Sequence, residues 1–327
     1  MKALFYTGKL SMEMRDAPEP VATAGLSLVK IEAAGICGSD MHAYKGHDER
    51  RPAPLILGHE ACGTLEDGTR VTVNPLVSCG ECEFCVRGAT NICPTRMIIS
   101  MPPREGAFAQ QLSMRPDNLI VVPEGISPQK AALAEPLACG WHAVRLGSDK
   151  LSKPLADARC VAIGGGAIGL GAALSLHAMG ARDIWLAETS AERRAVIQKT
   201  ADFKLYDPST ESGPGEASSD LIIDGVGYPA TRQHACAIAK PGAEIMHIGL
   251  GSAEGGLDIR RMTLQEIGFT GTYTYTVQDF RETAQAIFDG RLGALDWTEE
   301  RPLSDGARAF KDLAAGKVAA PKLILVP

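Results

Sequence analysis

Two groups of residues in the first hundred positions have the types and spacing needed for metal chemistry. Cys79, Cys82 and Cys85 recur at intervals of three, and Cys93 follows after seven intervening residues. Zinc accepts four thiolates in a tetrahedron at roughly 2.3 Å each. A loop that doubles back can present them, and Gly80 and Gly88 ease that reversal. This run is expected to hold a closed, structural zinc ion. The alternative, two disulfides, needs an oxidising compartment that nothing in the sequence suggests.

The second group is Cys37 in the segment Gly35-Ile36-Cys37-Gly38-Ser39-Asp40-Met41-His42, together with Gly58-His59-Glu60. Cys37 and His59 are the soft and borderline donors of a catalytic zinc, which keeps one position open. Two carboxylates, Glu135 and Glu60, compete for the remaining protein position, directly or through water. Placement puts Glu135 first and Glu60 close behind. A metal Lewis acid makes an alcohol easier to deprotonate, and the proton must then leave the site. Ser39 is expected to pass it on, and His42 to hand it to solvent. Asp40 is either a turn residue or an acceptor that orients a ligand histidine.

A third group is expected to bind a nucleotide. Gly164-Gly165-Gly166-Ala167-Ile168-Gly169 fits GxGxxG, follows a short apolar strand and opens a helix. Gly164 permits the tight turn, Gly166 close approach of a pyrophosphate, and Gly169 close helix–strand packing. Ile168 lies in the same first turn and joins them as a candidate cofactor contact. The helix N-terminus offers N–H donors to phosphates. Glu188, nineteen positions after Gly169, can accept both hydroxyls of an adenosine ribose, which favours NAD over NADP. Arg193 and Arg194 are expected on an exposed helical face beyond that contact.

The elements that must position these groups fall into two patterns. Up to about residue 140, short strands are punctuated by Gly and Pro, with the metal motifs on connecting loops. Ser127-Pro128 reads as a helix start, and Pro136 is expected to break that helix and push Glu135 out of helical geometry. From about Arg159 strands and helices alternate, the mark of a parallel sheet. The expected strands are Arg159–Ile163, Asp183–Ala187, Leu221–Asp224 and Glu244–Leu250, with Lys322–Val326 closing the chain. The expected later helices are Phe280–Asp289 and Ala307–Ala315.

The 327 residues suffice for roughly two domains. A net charge of -6 argues against nucleic acid or anionic membranes as partners. The stretch from Cys160 to Ala181 carries no Asp, Glu, Lys or Arg, but its six glycines mark a strand, turn and helix rather than a membrane span. The N-terminus lacks the apolar core of a signal peptide. With nine cysteines, this points to a reducing cytoplasm, where Cys62, Cys139, Cys160 and Cys236 serve as small buried hydrophobes.

With these motifs in place the chain resembles the zinc-dependent medium-chain alcohol dehydrogenases, within them the polyol or sorbitol dehydrogenase branch. Gly-Ala-Phe-Ala-Gln at 106–110 and Ala-Glu-Pro-Leu-Ala at 134–138 add to the match. The resemblance implies an α/β protein. A GroES-like, β-rich catalytic domain (1–142 and 280–327) would accept an inserted Rossmann domain (143–279) with a doubly wound parallel sheet. It also implies one catalytic and one structural Zn2+ per chain, NAD, and a homodimer or homotetramer. Glu135 stands where polyol dehydrogenases have Glu and many alcohol dehydrogenases Cys. In some polyol members the residue matching Glu60 binds zinc while the one matching Glu135 holds water. Three departures stand out: a short excursion after Glu60, Thr69 in place of Asp, and Thr274 in place of an arginine near the substrate.

The expected activity is NAD-dependent oxidation of a secondary alcohol on a polyol or sugar-like molecule, or reduction of the matching ketone. A simple alcohol or amino-alcohol dehydrogenase is the nearest alternative. A non-catalytic zinc- and nucleotide-binding redox sensor is the alternative from another class, and intact Cys37, His59 and Ser39 weigh against it.

Overall fold

The computed structural model describes residues 1–21 and 25–327. The chain divides into two compact units. One comprises Met1–Glu135, Thr276–Asp289 and Thr298–Pro327; the other comprises Pro136–Tyr275 and Gly290–Trp297. The first division falls at Glu135 rather than 142. The short segment 290–297 groups with the second unit, not the first.

The first unit is built on antiparallel strands. Ser27–Gly35 is the hub of its largest sheet, pairing with Glu60–Thr64, Gln111–Met114 and the closing strand Lys322–Val326. The registers Gly35↔Glu60 and Gly35↔Ile324 bring three distant parts of the chain to one point, just before Cys37. Leu4, Val29, Ile31, Leu57, Val73, Phe108, Phe310 and Leu325 fill the core beneath. Phe108 meets Phe310 edge-on at 5.9 Å, a favoured aromatic geometry.

The second unit carries a six-stranded parallel sheet in the order Lys204–Tyr206, Asp183–Ala187, Arg159–Ile163, Ser219–Asp224, Ala239–His247, Gly268–Gly271. This is the doubly wound order with its switch point beside Arg159–Ile163. Val161, Ile163, Ile222 and Ile245 are almost wholly buried, as expected where helices cover both faces. Among the described residues no helix is long and apolar enough to cross a membrane. The uncharged stretch from Cys160 resolves into the strand Arg159–Ile163, a glycine turn and the helix Ala167–Ala178.

Ser127 caps its helix as expected, its Oγ accepting from Lys130 N at 3.3 Å with Pro128 in the first turn. That helix ends at Ala132, and a new one runs Ala134–Ser148. Glu135 and Pro136 therefore both lie in a helical first turn, contrary to the expected break. The reason is that first-turn N–H groups have no intrahelical acceptor, so proline's missing N–H costs nothing there.

Candidate metal and cofactor sites

The four-cysteine loop folds back on itself through Gly80 (φ 83°) and Gly88 (φ 84°), left-handed positions that glycine adopts freely. Its four sulfurs all lie within 4.8 Å of one another. The Cys79 Sγ atom is 3.9 Å from Cys85 Sγ and 3.6 Å from Cys93 Sγ. A regular tetrahedron with zinc–sulfur bonds of roughly 2.3 Å has edges of about 3.8 Å, so the donors fit that ion. Backbone N–H groups favour the thiolate at Cys79 and Cys93, while at Cys82 the Cys85 N–H is outweighed by burial and the neighbouring sulfurs, which push that thiol up to about 11. The Cys79 N–H, with Thr95, draws the Cys93 thiol down to about 6. None of the nine cysteines forms a disulfide.

The second cluster gathers Cys37, His59 and Glu60, whose ligand atoms lie within 4.8 Å of one another. Cys37 precedes the short helix Gly38–Tyr44, while His59 and Glu60 lead into the strand Glu60–Thr64. Glu135 is buried (4% exposed) but is not in this group; its charge acts on Lys322, which touches Glu60. Among the described residues the buried atoms His59 Nδ1, Glu60 Oε2 and Ser39 Oγ have no hydrogen-bond partner. Buried polar atoms left this way cost about 1–3 kcal/mol each, which a bound ion and substrate would relieve. Thiolate, imidazole and carboxylate are a donor set zinc takes, and three protein ligands leave a fourth position open.

Asp40, fully buried, organises this cluster. Its Oδ2 accepts from Cys37 N at 3.0 Å and its Oδ1 from Gly58 N at 3.3 Å, so one carboxylate ties together the two ligand-bearing loops. Oδ1 also lies 3.6 Å from His59 Nδ1, too long for a hydrogen bond but close for charge. Burial pushes the Asp40 carboxyl up, yet His59 and Arg51 hold it below its ordinary value. Burial likewise disfavours a charged His59, and Asp40 and Cys37 together outweigh that and raise it well above the usual imidazole range.

Sequence reasoning missed two cations here. Arg51 is buried, pairs with Asp48 at 2.7 Å and donates to the carbonyls of Ser100 (2.9 Å) and Ser39 (3.4 Å), fixing the backbone that carries Ser39. Lys322 donates to Glu60 Oε1 at 2.5 Å. His42 is half-buried, and burial, then His47 and Lys45, hold its pKa below the ordinary value, so it is neutral and able to take a proton at pH 7.

In the second unit Gly164 (φ 100°) makes the turn out of its strand. A Cβ on Gly169 would sit 1.9 Å from the Gly164 carbonyl oxygen, so only glycine allows this helix to pack so close. A Cβ on Gly166 would meet nothing within 4 Å, and Gly166 caps the twelve-residue helix Ala167–Ala178 without a side-chain bond. Open space over an uncapped helix start suits a pyrophosphate. Ile168 is half-buried in that first turn. Glu188, 7% exposed, accepts from Gly165 N (2.8 Å) and Ser190 N (2.7 Å), which fixes its carboxylate at the glycine turn.

Arg193 and Arg194 do not form an exposed face. Arg193 lies 3.6 Å from the Glu188 carboxylate, and Arg194 donates to the Glu188 carbonyl and reaches Asp207 at 3.2 Å. Their helix starts at Ala191, capped by Ser190, so its first turn folds back over the acidic groups. Asp224 also escaped notice. Its Oδ1 accepts from Val226 N and Gly227 N, both at 2.9 Å, and its Oδ2 lies 3.3 Å from His247 Nδ1. A pocket of about 530 Å³ opens there, lined by His247, Gly249, Leu250 and Phe269 among others.

Comparison with known proteins shows the family. Residues 23–124 match the family described as Alcohol dehydrogenase GroES-like domain, and residues 167–289 match Zinc-binding dehydrogenase. The chain is 30% identical to L-galactonate-5-dehydrogenase of Escherichia coli K12, over 84% of each chain. It is 29% identical to sorbitol dehydrogenase of Bacillus subtilis 168, over 84% of this chain and 82% of that one. A zinc-binding dehydrogenase from Sinorhizobium meliloti 1021 bound to NADP superposes with a TM-score of 0.89 at 25% identity, covering 100% of this chain and 99% of the other.

Proposed function

Because the chain belongs to the zinc-binding alcohol dehydrogenase family, we propose that it interconverts a secondary alcohol on a polyol or sugar-derived substrate and the matching ketone, with NAD as hydride carrier. The observation that carries this reading is the cluster of Cys37, His59 and Glu60, with unpartnered buried oxygens on Glu60 and Ser39. Cys37, His59 and Glu60 would hold one zinc ion, with Glu135 the second carboxylate near Lys322. Cys79, Cys82, Cys85 and Cys93 hold a second, structural ion.

When bound, zinc polarises the substrate oxygen, and the nicotinamide accepts the hydride. The chain's own residues bind, orient and move the proton. Ser39 Oγ takes the substrate's hydroxyl proton as it gives up its own into the relay, and neutral His42 accepts a proton from that relay and releases it to solvent. Asp40 and Arg51 keep the Cys37, Gly58 and Ser39 backbones in place while this happens. Gly164, Gly166, Ile168 and Gly169 receive the pyrophosphate side of the cofactor, and Glu188 its adenosine ribose. The pocket beside His247 lies at the carboxyl end of its strand, where ligands of such sheets bind, and suits the other end.

The relatives named for L-galactonate and sorbitol support a polyhydroxylated substrate. Nine cysteines without a disulfide suit a cytoplasmic location, and the family resemblance supports a homodimer or homotetramer. The test is NADH absorbance with a panel of polyols, sugar acids and simple secondary alcohols, before and after chelation, with a zinc count. Polyol-dependent NADH formation that is lost on chelation, with two zinc ions per chain, is expected. Two zinc ions with no turnover of any alcohol or ketone in the panel would overturn the proposal.

A further inference from the structure

We propose that Lys322 is the positioning residue of the reactive metal centre: it selects which Glu60 oxygen faces the ion and ties Glu60 to the Cys37 loop. This rests on the reading of Cys37, His59 and Glu60 as a metal site. Lys322 opens the closing strand Lys322–Val326, and its side chain is 4% exposed against 1% for Glu60. Its ammonium donates to Glu60 Oε1 at 2.5 Å and to the Ile36 carbonyl at 3.0 Å.

Ile36 is thus held at both its polar atoms by one strand, because its own N–H donates to the Leu323 carbonyl at 2.9 Å. Cys37 is the next residue. Across the sheet, Gly35 stands opposite Glu60 on one side and Ile324 on the other. Lys322 Nζ therefore bridges the two outer strands past the middle one, at the point where the thiol and carboxylate ligands must meet.

The consequence for Glu60 is asymmetry. One oxygen is committed to an ammonium. The other, Oε2, is buried and among the described residues has no hydrogen-bond partner. A buried charge is tolerated when it is paired and hydrogen-bonded, and an orphan oxygen beside a thiol and an imidazole is placed to meet a cation. The same contacts keep Lys322 cationic: burial disfavours its ammonium, and Glu60, then Cys37 and Glu135, outweigh that.

The test uses the whole protein loaded with cobalt(II), whose thiolate charge-transfer and d–d bands report ligand geometry at each site. Wild type is compared with Lys322→Met, Lys322→Arg, Glu60→Gln and the double variant Lys322→Met/Glu60→Gln. Lys322→Met is expected to weaken cobalt at the Cys37 site by about 10–100-fold, the range for residues that orient a metal ligand, and to shift its d–d bands. The four-cysteine site should be unchanged, and Lys322→Arg should recover part of the affinity. In the Glu60→Gln background, Lys322→Met should add little, because its effect runs through Glu60.

Unchanged affinity and spectrum in Lys322→Met would overturn the proposal, and so would strictly additive effects in the double variant. Should Lys322→Met fail to fold, the double variant decides. Removing both partners together spares the uncompensated charge, so it should fold; its failure would make Lys322 a scaffold residue and overturn the proposal. The metal reading is checked separately by Cys37→Ser. If that variant loses no cobalt relative to wild type, the site reading fails before Lys322 is touched.

Discussion

Replacing Gly35 with alanine adds one methyl group at the most crowded point of the reactive cluster. A Cβ there would lie 2.0 Å from Glu60 Oε2 and 3.2 Å and 3.3 Å from its Cδ and Cβ. Ordinary contact begins near about 3.5 Å, so the oxygen must retreat by roughly 1.5 Å. Ligand distances tolerate only about 0.2 Å, and Lys322 holds the opposite oxygen in place. Glu60 therefore leaves the metal position. Losing a group that merely orients a ligand costs about 10–100-fold in affinity, so losing the ligand itself should cost at least that, roughly 1.4–2.7 kcal/mol. Stability should suffer less. Gly35 is not among the residues of positive φ, so alanine gains about 0.4–1 kcal/mol from the unfolded chain against an overpacking cost of about 1–3 kcal/mol. The assay is competition with a chromophoric chelator, reading the two sites separately, alongside thermal unfolding. Gly38→Ala, where a Cβ meets nothing within 4 Å, is the control and should bind normally. A Gly35→Ala protein that keeps full affinity at the Cys37 site would refute Glu60 as a ligand.

Other expectations follow from the same geometry. Glu188→Gln places an amide against the Gly165 and Ser190 N–H donors. NADH fluorescence titration should show binding weakened by about 10-fold or more, from a charge-assisted bond of about 1.5–3 kcal/mol, with NADP(H) affected less; equal losses would count against the ribose role. Cys93→Ser should lower bound zinc from two to one per chain and reduce the unfolding temperature, checked by metal analysis and calorimetry. Because burial first, and then His47 and Lys45, depress His42 below 6.5, kcat should stay level as pH falls to that value and decline below it. His42→Asn should abolish that limb of the profile, and an unchanged profile would exclude His42 from the proton path.

How much of this was legible in the sequence depended on distance along the chain. The four-cysteine loop was fully readable because its ligands lie within fifteen residues and spacing alone dictates how they close. The glycine turn was readable because each glycine has a local conformational reason. Glu60 against Glu135 was not, since depth within a sheet has no signature in spacing. Lys322 was invisible: its partner Glu60 lies 262 positions away, and a lysine opening a strand ordinarily points to solvent. Pro136 misled because a proline reads as a break unless the next helix begins two residues earlier. Arg193 and Arg194 misled because helical spacing does not say that a first turn folds back onto an acidic loop.

The discontinuous make-up of the first unit has a consequence for biogenesis. Ribosomes add about 5–20 residues per second, so the fourteen positions between Cys79 and Cys93 emerge within roughly 1–3 s. The 262 positions between Glu60 and Lys322 take roughly 13–50 s. The closing strand also supplies the Leu323 carbonyl that holds the Cys37 loop. The four-cysteine site therefore has all its ligands within one short stretch, while the reactive centre gains the contacts that hold Glu60 and Ile36 only when synthesis reaches the closing strand. The path of the polypeptide thus sets apart a site whose parts are all local from one whose ligands are early but whose supporting strand comes last.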